Sequence, residues 1–336
     1  MKINSSEIGS EHIYFVIEEG QANLGNIEFA FRMIDEAAKL GADAIEFQIA
    51  KADEFYVKNH DVHKIYLERE FSDSQLRDLS VHANDKEIDL IVAPFSVNII
   101  EKMTNYGCAA FNINGSDLMT PDIIYSVASS GKPFFLSLIL ASEKEIDWAV
   151  NRIRKSTTNK FCLLLGQHSM ASGEEGVDIK DTNLGCLKSL KQKFGVPVGF
   201  IDHSKKIWTP ACAVAAGADV ITKHMAISRK DKGPDWEICL EPDEMSECIS
   251  LARRANISMN NTSKILAPGE DFDRSLMRRS IVCLNELNPG DLIKEDDLAF
   301  RRPGNGVSPD KYLDFLGMKV NKRKRKDDQL TYEDIT

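Results

Sequence analysis

No stretch of the 336 residues approaches the ~20 consecutive apolar residues of a membrane-spanning helix. The opening Met1-Lys2-Ile3-Asn4-Ser5-Ser6-Glu7 lacks the apolar core of a secretion signal. There is no Cys-x-x-Cys pair, and the seven cysteines are scattered and odd in number, as expected for reduced thiols in a cytoplasm. Cys108, Cys162, Cys212 and Cys283 stand in apolar surroundings and read as small core residues. Positive charge is also short: 42 Lys and Arg against 52 Asp and Glu leave a formal net charge of -10. That balance argues against general nucleic-acid binding, which draws on phosphate neutralisation. These absences together give a cytoplasmic chain with neither membrane nor nucleic acid as partner.

What is present suits a sizeable core: 43% apolar residues and a mean hydropathy of -0.28. Strand and helix signals alternate along most of the chain. Apolar runs at 14–18, 44–48, 89–93, 109–113, 133–137, 161–165, 197–201 and 220–224 predict eight strands buried on both faces. Between them, Ile27, Phe31, Ile34 and Ala38 recur at helical spacing, and Ser72-Asp73-Ser74-Gln75 and Ser142-Glu143-Lys144-Glu145 are capping boxes. Thr120-Pro121 marks another helix start. The connection 49–71 is long, a length associated with functional loops. Eight βα units closing on themselves make a TIM (β/α)8 barrel, an α/β fold, over residues 1–258. Residues 259–275, with Asn260-Asn261-Thr262-Ser263 and Pro268-Gly269, read as a linker. Residues 276–336 change to short strands and turns, a small β-rich domain. Its run Lys322-Arg323-Lys324-Arg325-Lys326 reads as a solvated strand and turn balanced by Asp327 and Asp328.

In such a barrel the C-terminal ends of the strands share one mouth, where catalytic groups collect. His203 and His224 close the last two strands, with Asp202 and Asp235 nearby, and two imidazoles there could share one divalent ion. The alternative is that each His caps its strand and hydrogen-bonds a backbone carbonyl.

The ordered series Glu18-x-Gly20, Phe47-Gln48, Pro94-Phe95-Ser96, Asp202-His203-Ser204, Lys223-His224, Gly233-Pro234-Asp235 and Arg302-Pro303-Gly304-Asn305-Gly306 resembles the sialic acid synthase family. In that family a barrel is joined to an antifreeze-like (SAF) domain. The resemblance spans nearly the whole chain. It implies a condensation of phosphoenolpyruvate with the aldehyde of an N-acetylated amino sugar, giving a 2-keto-3-deoxy nonulosonic acid and phosphate. It further implies a divalent metal on His203 and His224, manganese or else magnesium or cobalt. Gln48, Ser137, Asp202 and Arg302 become substrate contacts, with Gln48, Asp235 and Arg302 also in the catalytic set. Arg302 would be offered to the other subunit of a domain-swapped homodimer.

The chain departs from the family pattern around the donor. Leu24 replaces the glutamate of Asn-His-Glu-Gly, Glu46 and Asn112 replace two lysines, and Ala93 replaces a threonine. Ser137-Leu138-Ile139-Leu140 and Met170-Ala171-Ser172 replace further motif stretches. The change at Glu46 and Asn112 amounts to three charge units, unless Lys51, Lys58, Lys205, Lys206, Arg229 or Lys230 turns inward. Three readings follow: a synthase with a rebuilt donor site, a metal-dependent relative with another donor, and a non-catalytic sugar-binding relative.

Overall fold

The computed structural model describes residues 1–9, 12–158, 160–168 and 175–336. The chain divides into two units, Met1–Asn260 and Asn261–Thr336. In the first, eight parallel strands close a barrel: β1 (Tyr14–Glu18), β2 (Ala44–Ile49), β3 (Asp89–Pro94), β4 (Ala110–Ile113), β5 (Phe134–Ser137), β6 (Phe161–Gly166), β7 (Val198–Asp202) and β8 (Val220–His224). They pair in chain order, and β8 returns to β1 with Val220 opposite Tyr14 and His224 opposite Glu18. The expected eight-stranded α/β barrel is therefore the observed fold.

The strand residues are almost all buried because the sheet is covered on both faces. Tyr14, Val16, Ile91, Phe135, Leu164 and Val220 fill the interior. A short N-terminal hairpin, Lys2–Ile3 against Ser6–Glu7, adds Met1, Ile3 and Ile8 to that cluster at the end where the strands begin. Outward-facing Phe15, Phe47, Val92, Phe111 and Phe200 meet the apolar stripes of the surrounding helices.

These helices are α1 (Ile27–Lys39), α4 (Asp73–Asp85), α5 (Val97–Tyr106), α6 (Pro121–Ser129), α7 (Glu143–Ser156), α8 (Cys186–Phe194), α9 (Thr209–Ala215) and α10 (Pro242–Met259). Their starts follow the capping chemistry in the sequence. Ser72 and Gln75 cap α4 reciprocally, and Glu145 accepts from the Ser142 N–H at 2.7 Å. The connection after β2 is not one loop: it carries α2 (Ala52–Phe55) and α3 (Asp61–Glu68). Cys108, Cys162 and Cys283 are buried as expected, whereas Cys212 is exposed, since α9 turns it away from the barrel.

In the second unit, α11 (Glu270–Met277) occupies the end of the segment read as linker. β9 (Ser280–Cys283) and β10 (Leu298–Arg301) pair antiparallel around Ile281, Leu287, Ile293, Phe315 and Leu330. The basic run is not balanced by Asp327 and Asp328. Lys322 and Lys324 both reach the fully buried Asp334, Arg323 reaches Glu286, and Asp327 serves Arg301. Burial works against the Asp334 carboxylate, yet the two ammonium groups hold its pKa down at about 2. No helix among the described residues is long and apolar enough to cross a membrane.

Candidate active site

Strand pairing sets Asp202 beside Lys223 at the ends of β7 and β8. Side chains alternate along a strand, so the next residue on each, His203 and His224, faces the opposite way. Lys223 and Asp202 lie fully buried, with Nζ 2.8 Å from Oδ2, and Lys223 also donates to the carbonyls of Ser204 and Lys206. That ammonium ties down the turn that carries His203. The two imidazoles meet with their Nε2 atoms 3.3 Å apart, 8% and 2% exposed.

Neither ring is spent on a backbone carbonyl: both Nδ1 atoms are buried without a partner among the described residues. The strand-capping alternative is therefore not what the structure has. Burial first, then His224, His168 and Lys223, push the His203 pKa well below its ordinary value, so its lone pair is free. Two metal–nitrogen bonds of ~2.0–2.2 Å need nitrogens no more than ~4.4 Å apart, and 3.3 Å satisfies this. A donor set of two imidazole nitrogens suits a borderline divalent ion. No group of three His, Cys, Asp or Glu side chains among the described residues is arranged to hold an ion, so other ligands would complete the shell.

The histidines border a cavity of about 210 Å³ that also takes in Glu18, Gln48, Asn112, Ser137, His168 and Asp235. Gln48 Nε2 donates to Glu18 Oε1 at 2.9 Å, and the second oxygen of Glu18 lies 3.5 Å from His224 Nε2. Asp235 enters from the loop after β8 with φ 54°, in the left-handed region. Thus His203, His224, Gln48, Ser137 and Asp235 come together. Asp202 does not line the cavity; its oxygens accept from Lys223 and the Ser204 N–H, beside His203. Arg302 lies exposed in the C-terminal unit. Glu18 and His168 were not singled out as site residues, although Glu18 ends β1, the position where catalytic groups gather.

The departures from the family pattern also have a place. Glu46 is 1% exposed and accepts from Asn112 Nδ2 at 2.8 Å, leaving Glu46 Oε2 and Asn112 Oδ1 buried without partners. Burial and the neighbouring Glu18 push the Glu46 pKa well above its ordinary value, toward the neutral acid. Relative to the two lysines of the family pattern, this pair brings no cation to the site. The loop cations do not restore it. Lys51 is 2.8 Å from Glu70, Lys58 lies 3.4 Å from Asp53, Lys206 pairs with Glu175 and Arg229 with Glu244. Lys205 and Lys230 are not among the residues lining the cavity. Leu24 is half-exposed with φ 49°, and Ala93 is buried in β3. Met170, Ala171 and Ser172 fall outside the described residues.

The sequence matches the NeuB family over residues 33–264 and the SAF domain over residues 278–336. An uncharacterised protein of Methanocaldococcus jannaschii is 31% identical over 337 residues, covering 100% of this chain and 98% of that one. The N,N'-diacetyllegionaminic acid synthase of Campylobacter jejuni is 27% identical over 332 residues, covering 95% and 98%. Among solved structures, the N-acetylneuraminic acid (sialic acid) synthetase of Leptospira borgpetersenii in complex with citrate matches with a TM-score of 0.74 at 29% identity. That match covers 81% of this chain and 94% of that one.

Proposed function

The chain belongs to the NeuB family, and on that premise we propose that it joins an enol donor to the aldehyde of an N-acetylated amino sugar. With phosphoenolpyruvate as donor, the product is a 2-keto-3-deoxy nonulosonic acid. The observation that carries this reading is the meeting of His203, His224, Gln48 and Asp235 in one cavity at the barrel mouth. A purely structural barrel would have no reason to bury two imidazoles with unpaired Nδ1 atoms there.

The balance is simple. The donor's methylene carbon forms a bond to the aldehyde carbon, and the aldehyde oxygen takes up a proton. Water adds at the donor's C2, the C–O bond to phosphate breaks, and the ketone remains. Glu18, held by Gln48, lies 3.5 Å from His224 Nε2 and can give or take a proton beside the reacting oxygens. Asp235 can accept from a sugar hydroxyl at the rim. His203 and His224 would hold the divalent ion, manganese before magnesium or cobalt, which when bound supplies Lewis acidity toward the aldehyde. The protein would work as a homodimer in which Arg302 reaches the partner's cavity.

Phosphate release from phosphoenolpyruvate with manganese and a panel of amino-sugar aldehydes tests the reading; no release with any of them would overturn it. The second reading, a changed donor, is favoured by Glu46 and Asn112, which bring no cation to positions where the family pattern has two lysines.

A further inference from the structure

Beside the catalytic cavity, and sharing Gln48 and Asp235 with it, lies a second hollow of about 290 Å³ lined by Gln21, Tyr66 and Arg69. It is built by the connection after β2. Arg69 caps the C-terminal end of α3, and its backbone packs on Gly25: a Cβ there would stand 2.9 Å from Arg69 Cα, and φ is +83°. Tyr66 is braced by Phe55, with ring centroids 5.0 Å apart, and Phe55 stacks at 4.5 Å on Phe95, itself a wall of the catalytic cavity.

Gln21, Tyr66 and Arg69 are joined in one chain of hydrogen bonds. Gln21 Oε1 accepts from Arg69 at 3.2 Å, and Gln21 Nε2 donates to the Tyr66 oxygen at 3.0 Å, so both ends of the amide are spent inward. The phenolic hydrogen of Tyr66 and the remaining guanidinium N–H groups are left to donate. Burial raises the Tyr66 pKa, which keeps that hydrogen in place. Arg69 has no carboxylate within 4.0 Å among the described residues. Asp235, which also lines the hollow, is suited to a sugar hydroxyl.

We propose that this hollow is the anion-recognising part of the site, taking a phosphate or carboxylate of a substrate on Arg69 and Tyr66. The cation of the site then sits in this neighbouring hollow, whereas the positions of the two family lysines hold Glu46 and Asn112. The inference rests on the synthase reading for its substrate class, but its test reads binding, not turnover.

The experiment is calorimetry on the full-length chain with manganese present. The probes are inorganic phosphate, phosphoenolpyruvate, and an N-acetylated amino sugar with and without a terminal phosphate. Charge-assisted, forked hydrogen bonds from Arg69 predict that Arg69→Gln weakens the anionic probes by about 10- to 100-fold while leaving the uncharged sugar unchanged. Lys58→Gln, an exposed cation on the same connection, should change nothing. Which phosphorylated probe loses most identifies whether donor or sugar carries the anion. Equal affinity in the native chain and Arg69→Gln, or no anion binding by the native chain, overturns the proposal. Should Arg69→Gln fail to fold, Tyr66→Phe must still weaken the anions several-fold, and its silence would count against the site. Anion binding lost on Arg69→Gln, in a protein that turns over no substrate, would sink the synthase reading and leave this one standing.

Discussion

A buried carboxyl at position 46, with one oxygen held by Asn112 and the other unpaired, is a poor neighbour for a multiply charged anion. A unit charge pair at ~4 Å is worth about 4 kcal/mol at an effective dielectric of ~20, so restoring cations there should strengthen anion binding. The double substitution Glu46→Lys with Asn112→Lys should raise phosphoenolpyruvate affinity at least about tenfold by calorimetry. Micromolar binding by the native chain, unaltered in the double variant, would show that the floor does not meet the donor. Glu19 gives a separate expectation. Burial raises its pKa to about 8, against the pull of two Asn23 hydrogen bonds. Between about pH 4.5 and 8 the folded chain then keeps a proton that the unfolded chain releases, so stability falls as pH rises through that window. The slope contributed is at most about 1.4 kcal/mol per pH unit. Urea midpoints at pH 5 and pH 8 should diverge less in Glu19→Gln than in the native chain.

At the scale of elements, the barrel was legible because each strand is a short apolar run bounded by helix caps, and parallel strands buried on both faces write that pattern plainly. The His203–His224 pair followed from the same runs, since both residues close strands. α2 and α3 were not legible: helices of four and eight residues are too short for a periodic stripe to stand out. Arg69 was missed with them, as it belongs to no strand register. The direction of Asp202 was not legible, because sequence adjacency to His203 says nothing of which way a side chain faces, and alternation sends it to Lys223. That buried pair is the element-level joint of the site. Lys223→Met should cost about 3–5 kcal/mol, because it strands the Asp202 charge without its partner. Combining it with Asp202→Asn should recover part of the loss in urea denaturation. A single variant as stable as the native chain would mean that the pair does not fasten the β7–β8 corner.

For the whole molecule, the sequence signalled two units through the loss of βα rhythm after α10, but not α11, whose stripe is a single turn repeated twice. In the proposed dimer the second unit bears on activity through Arg302. Sharing has a distinctive consequence. His203→Ala removes the ring that lies 3.3 Å from His224 and should abolish metal-dependent turnover. Arg302→Ala should abolish it from the other side, by depriving the partner's cavity of its guanidinium. If each cavity is completed by the partner, subunits exchanged between these two inactive proteins form mixed dimers in which one cavity has both groups and the other neither. Random exchange makes half the dimers mixed, so roughly a quarter of native activity should return. If each chain completes its own cavity, every site in the mixture still lacks one group and nothing returns. The measurement is turnover after mixing under conditions that allow exchange, with sedimentation confirming a dimer throughout. A monomer at micromolar concentration, or a mixture as inactive as its components, would remove the shared-site assembly.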